Sequence, residues 1–156
     1  MLLYLLQHGE AVPEAQDPDR PLTPTGRADL ERLAAFLVNS NVKISRIVHS
    51  GKLRAENSAT IIAGMLPGHP VVEQHDRLLP GDSPEWLADA VVGWTEDTLV
   101  VGHQPFMGRL VSRLILGKEP PVVVDFVPGT MACLARRSAT GAWFLSWMLT
   151  PGLLRG

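Results

Sequence analysis

The scarcity of certain residues and patterns is the first guide to this chain. Only one cysteine, Cys133, occurs in 156 residues. That excludes an internal disulfide and a cysteine-rich metal site, and it fits a reducing compartment. Cys133 sits in a strand-like run, Thr130-Met131-Ala132-Cys133-Leu134-Ala135, and reads as a small core residue. No apolar stretch approaches the ~18 residues of a membrane span. The apolar run Leu2-Leu3-Tyr4-Leu5-Leu6 is short for a signal peptide and has no basic flank, so a cytoplasmic protein with no membrane partner is expected. Neither charge dominates: 14 Lys and Arg stand against 16 Asp and Glu, a formal net charge of −2. General nucleic-acid binding, which needs a basic face, is therefore not expected. HExxH, CxxC and glycine-rich phosphate-loop patterns are missing, and His69 and His75 lie in loops at no metal-ligand spacing. The expectation is an activity without metal or cofactor. With no repeat, low-complexity tract or long linker, residues 1–156 read as a single domain without a cap domain.

Against these gaps stands one recurring arrangement. The first apolar run ends in Gln7-His8-Gly9. A second, Thr98-Leu99-Val100-Val101, ends in Gly102-His103. A third, Arg46-Ile47-Val48-His49, ends in Ser50-Gly51 and leads into the helix-like Lys52-Leu53-Arg54-Ala55-Glu56-Asn57-Ser58-Ala59. Short continuous apolar runs of this kind are buried parallel strands, and α/β chains place their chemistry just beyond the carboxyl ends of such strands. His8, His103 and the helix-borne Arg54 are thereby predicted to meet. His49 reads as a hydrogen-bonded core histidine.

Elements follow from periodicity and punctuation. Residues 10–23 form an exposed Pro- and Asp-rich loop, and Thr25 or Thr23 caps a helix on which Leu30, Leu33, Ala34 and Leu37 recur at helical spacing. Helices are predicted near 52–65, after a cap at Ser83, and over 105–116. Strands are predicted near 44–48, 71–72, 98–101, 122–126, 131–135 and 143–148, with a turn at Ser138-Ala139-Thr140-Gly141. The alternation implies an α/β fold, a mostly parallel doubly wound sheet with helices on both faces and an antiparallel edge.

Four segments, Gln7-His8-Gly9-Glu10, Arg20-Pro21-Leu22-Thr23-Pro24-Thr25-Gly26, Ser50-Gly51-Lys52-Leu53-Arg54-Ala55-Glu56 and Val101-Gly102-His103-Gln104-Pro105, resemble in order and spacing the motifs of the histidine phosphatase superfamily. The resemblance is closest to its small SixA-type phosphohistidine phosphatases. It implies a phosphoglycerate mutase-like fold and hydrolysis of protein phosphohistidine, with His8 transiently phosphorylated and His103 and Arg54 completing the catalytic set. Gln7, Gly9, Arg20, Arg54 and His103 would hold the phosphoryl group, and inorganic phosphate or sulfate would bind there too. The partner implied is a phosphohistidine-bearing protein domain.

Two departures qualify the resemblance. The motif arginine before the histidine is Gln7, which brings hydrogen bonds but no cationic fork. This leaves open a phosphate- or phosphoprotein-binding module with weak or no turnover. No general acid is obvious either: Asp82 and Glu10 are the candidates, Asp82 also reading as a helix-start residue and Glu10 as a loop-shaping one. That lack counts against a small-molecule phosphomonoesterase, the remaining alternative. Arg20 reads equally as a pocket-rim arginine or as a partner of Asp17 or Asp19. Lys52 reads as an exposed helix-start lysine able to lean toward the site.

Overall fold

The computed structural model describes every residue except Ala139. The apolar runs become β1 (Leu2–Gln7), β2 (Arg46–His49), β3 (Val71–Gln74), β4 (Thr98–Gly102), β5 (Met131–Arg136) and β6 (Trp143–Leu149), ordered β3-β2-β4-β1-β5-β6 in one sheet. The first four are parallel, and β5 and β6 add an antiparallel edge. Central strands β1 and β4 are buried on both faces, which is why they read as unbroken apolar runs rather than alternating ones.

Helix α1 (Pro24–Asn39) starts where Thr23 Oγ1 accepts the N–H of Gly26, with Pro24 at its first turn. Helices α1 and α2 (Leu53–Met65) cover one face: Leu30, Leu33, Leu37, Ala55, Ala59 and Ile62 pack on Tyr4, Leu6, Ile47, Leu99 and Val101. Helices α3 (Glu85–Ala90) and α4 (Phe106–Leu116) cover the other, where Leu87, Phe106, Met107 and Leu110 meet Leu3, Leu5, Val48 and Val100. Both layers bury their apolar stripes, so the crossovers present the loops after β1, β2 and β4 at a single edge. Cys133 is buried in the core as expected, and burial raises its thiol pKa to about 11.

Several local expectations need correction. Residues 122–126 do not form a strand. The edge of β1 that could take them is occupied by β5, and the segment lies over α4 instead, where Val123 N–H donates to Ser112 Oγ at 3.3 Å and Phe126 is buried. Ser83 is not the cap residue of α3. Pro84 holds that position, and Ser83 Oγ accepts the Glu85 N–H at 3.4 Å. The short helix α5 (Pro151–Leu154) was not anticipated; its four residues are too few to show periodicity. Of the turn expected at Ser138-Ala139-Thr140-Gly141, Ala139 lies outside the described residues, while β5 and β6 pair as a hairpin.

Candidate active site

His8 follows β1 directly and is stitched in place through its own backbone. Its N–H donates to Gly102 O at 3.0 Å, and its carbonyl accepts from Gly129 N at 3.0 Å. The imidazole is oriented as firmly. Nδ1 is 2.7 Å from Gly9 O, and Arg54 Nε donates to Nε2 at 3.1 Å. A carbonyl only accepts and a guanidinium only donates. Nδ1 therefore carries the hydrogen, and Nε2 holds its lone pair toward Arg54. Burial above all lowers the His8 pKa to about 4; the Gly9 hydrogen bond opposes it, and the weaker Arg54 and Arg20 charges add to the lowering. At neutral pH the ring is uncharged, with its lone pair on Nε2.

Arg54 is the second residue of α2, at the positive end of the helix dipole. Its helix is tied to the His8 loop by Ser58, whose Oγ accepts the Gly9 N–H at 3.0 Å and donates to Arg54 O at 2.6 Å. Ser58 is fully buried. Sequence reasoning missed it, although its position four residues after Arg54 is the spacing at which a serine bonds back to a helix carbonyl. Gly9 was expected to hold phosphate. Its N–H instead goes to Ser58 and its carbonyl to His8, so it orients the imidazole, and a Cβ there would press on Leu30 and Gly26.

His103 follows β4, and its carbonyl accepts the Met107 N–H that opens α4. Its ring centroid is 5.0 Å from that of His8, and Nε2 hydrogen-bonds with Ser50 Oγ at 2.6 Å. Burial first, then His8 and the Arg54, Lys52 and Arg20 cations, push its pKa down to about 3. Arg54 itself is shifted down by burial and by Arg20, with Glu14 opposing. Among the described residues, the buried side-chain N and O atoms without a partner are Gln7 Oε1 and His103 Nδ1. Both belong to the strand ends where a ligand would lie. Buried polar atoms are rarely left unpaired, so this edge is built for groups a ligand supplies.

A cavity of about 750 Å³ opens at Arg54, the hydrogen-bond partner of His8, and is lined also by Arg20 and Lys52 and by Glu14, Asp19 and Glu56. Arg20 therefore reaches the rim. It holds a left-handed backbone (φ 50°), and its Nε donates to Val12 O at 3.1 Å rather than pairing with Asp17 or Asp19. Lys52 is exposed and leans over the same opening. Asp82 is not brought to this cavity: its Oδ2 accepts the Leu79 N–H at 2.7 Å and pins the loop that contributes Leu79 and Pro80 to the wall. Glu10 Oε1 accepts from Thr23 Oγ1 at 2.7 Å and shapes its loop. His49 is a core residue whose Nδ1 accepts the Gly51 N–H at 3.2 Å. His69 is exposed, and half-buried His75 stacks on Trp86. The three cavity-lining carboxylates escaped sequence reasoning because nothing in their spacing distinguishes them from ordinary exposed acids. No group of three or more potential metal ligands occurs among the described residues, and no helix of the described residues is long and apolar enough to cross a membrane.

The sequence profile of the histidine phosphatase superfamily (branch 1) matches residues 3–80. The phosphohistidine phosphatase SixA of Escherichia coli is 27% identical over 97% of this chain and 94% of its own. An uncharacterised protein of Picosynechococcus is 30% identical over 76% of this chain and 75% of its own. A structure of the protein histidine phosphatase SixA complexed with tungstate superposes with a TM-score of 0.86 at 27% identity, covering 99% of this chain and 100% of that one.

Proposed function

The chain belongs to the histidine phosphatase superfamily, and we propose that it hydrolyses protein phosphohistidine through a covalent phospho-His8 intermediate. The observation that carries this reading is the fixed state of His8. The ring is neutral, protonated on Nδ1, and presents the Nε2 lone pair beside a guanidinium. In the first step Nε2 attacks phosphorus and the P–N bond of the substrate breaks; its imidazole, which enters protonated on the other ring nitrogen, leaves neutral with that proton, while phospho-His8 keeps its Nδ1–H on Gly9 O. In the second, water attacks the phosphorus of phospho-His8, releasing inorganic phosphate and restoring the neutral ring. Arg54 and Arg20 supply positive charge for the phosphoryl oxygens, and His103 supplies a ring N–H.

The substrate class follows from what the site holds. Asp82 is engaged in its loop, and a P–N bond with an imidazole leaving group needs less help from an acid than a stable phosphomonoester does. The SixA relatives, one complexed with the phosphate-like oxyanion tungstate, support the same reading. The partner is a protein domain that presents its phosphohistidine to the cavity beside residues 51–54.

Incubation with phosphoramidate tests the proposal. An acid-labile, alkali-stable phosphoenzyme is expected in the parent and absent in His8→Ala. Labelling that persists in His8→Ala overturns it. A second reading, a phosphoprotein-binding module with little turnover, is favoured by Gln7, which brings no charge where the family motif has arginine. It requires phosphate affinity without turnover in the parent.

A further inference from the structure

We infer that Ser50 is a positioning residue that holds His103 as the neutral Nδ1–H tautomer, leaving that N–H free for a phosphoryl oxygen. The argument is a count of hydrogens around one buried hydroxyl. Ser50 Oγ has two neighbours among the described residues: Lys52 N–H, which donates to it at 3.4 Å, and His103 Nε2 at 2.6 Å. A hydroxyl carries one hydrogen, and the structure gives Ser50 no acceptor for it other than Nε2. If Nε2 bore the hydrogen instead, the Ser50 hydrogen would have no acceptor and His103 Nδ1 would be a bare buried lone pair. Both would be costly in a serine and a histidine that are almost wholly buried. If Ser50 donates, Nε2 and the hydroxyl are both satisfied. The single unpaired group is then Nδ1–H, already the unpartnered ring atom of His103.

That arrangement has a chemical consequence. The two imidazoles become the same neutral tautomer with opposite roles. His8 spends its N–H on Gly9 and offers a lone pair at Nε2, whereas His103 spends its lone pair on Ser50 and offers an N–H at Nδ1. A nucleophile and a hydrogen-bond donor are what an incoming phosphoryl group requires of the pair, and the opposite His103 tautomer would turn a lone pair toward an anion. The fold supports the division of labour: Ser50 directly follows β2 and His103 directly follows β4, and these strands are neighbours paired in register.

This inference rests on the proposed phosphatase reading for its role in turnover, but not for the tautomer itself. Ring-nitrogen NMR of the ligand-free ¹⁵N-labelled protein at neutral pH reads the tautomer, with His103 assigned by the loss of its signals in His103→Asn. The expected spectrum has a protonated Nδ1 and an unprotonated Nε2. A His103 protonated on Nε2 overturns the proposal, whatever the activity. Ser50→Ala should shift His103 toward the Nε2–H form. It should lower kcat by about 10- to 100-fold, less than the roughly 10²–10³ that follows deletion of a preorganised donor, and Ser50→Thr should restore both readouts. An unchanged spectrum and rate in Ser50→Ala overturns it. A parent with the expected tautomer but no phosphohistidine turnover leaves the Ser50 assignment standing and removes the phosphatase reading.

Discussion

Arg54 Nε donates to the lone pair of His8 Nε2 at 3.1 Å, the same lone pair that attacks phosphorus in the proposed reaction. The two uses exclude each other. When a phosphoryl group arrives, the guanidinium must leave the nitrogen for the phosphoryl oxygens, which it can reach with two or more N–H groups. In the free protein the arginine thus orients the ring, and in the proposed reaction it neutralises phosphoryl charge.

Replacing Arg54 tests both uses. Arg54→Ala is expected to lower turnover by about 10²–10³. Arg54→Lys should recover little of this, because an ammonium lacks the planar fork. The His8 pKa, followed by NMR, should rise in Arg54→Ala, since a cation that disfavours the imidazolium is gone. It should stay below the ordinary histidine value, because burial is the larger cause.

The depressed histidines also predict how stability depends on pH. His8 and His103 are pushed down to about 4 and about 3, while in the unfolded chain they titrate near 6.5. Between these values the unfolded chain binds more protons than the folded one, so stability rises with pH. It is fully present above the unfolded pKa and is lost as the pH falls. The slope approaches about 2.7 kcal/mol per pH unit where both rings are charged only when unfolded. Urea midpoints should therefore drop from pH 7 to pH 5, a range in which carboxylates titrate little. The drop should be smaller in His103→Asn. Equal midpoints at the two pH values would contradict the depressed pKa values.

Ser58→Ala should destabilise the fold by about 1–3 kcal/mol, because the buried Gly9 N–H loses its acceptor. It should also slow turnover, since the serine joins the His8 loop to the helix that carries Arg54. Denaturant unfolding and the phosphoenzyme assay on one preparation measure both. Loss of activity without loss of stability would mean the bridge matters for geometry alone.

Much of this site was legible in the sequence, for a physical reason. The parallel strands are buried on both faces and appear as apolar runs, and the residues just beyond them, His8, His103 and Ser50, are fixed by the same backbone pairing. Arg54 was legible because it opens a helix directly after such a strand. What escaped depends on distant partners. Ser58 is distinguished only by where Gly9 falls, and Asp82 looked like an acid because its bond to the Leu79 backbone has no sequence signature. Residues 122–126 have strand composition, yet β5 had already taken the place beside β1.

Gln7 is where this chain departs from its family motif, and it yields the sharpest test. The residue is buried, its backbone is fixed by Thr130 O and Gly129 N, and Oε1 has no partner. An amide there contributes no charge, so Arg20, Lys52 and Arg54 are the cations at the cavity. Gln7→Arg adds a guanidinium at the strand end next to His8 and removes the unpaired carbonyl oxygen. Turnover of a phosphohistidine protein is expected to rise about 10-fold, equivalent to roughly 1.4 kcal/mol of transition-state stabilisation. Phosphate should bind more tightly, and the His8 pKa should fall further because another cation faces the ring. Like charge from Arg20 and Arg54 opposes the gain, so a drop in phosphate affinity would show that Arg20 already fills the place of the motif arginine. Turnover appearing only in Gln7→Arg, with phosphate affinity already present in the parent, would identify the natural chain as a binding module. Clear turnover by the parent rules that out and makes glutamine a tuning of rate within a working phosphatase.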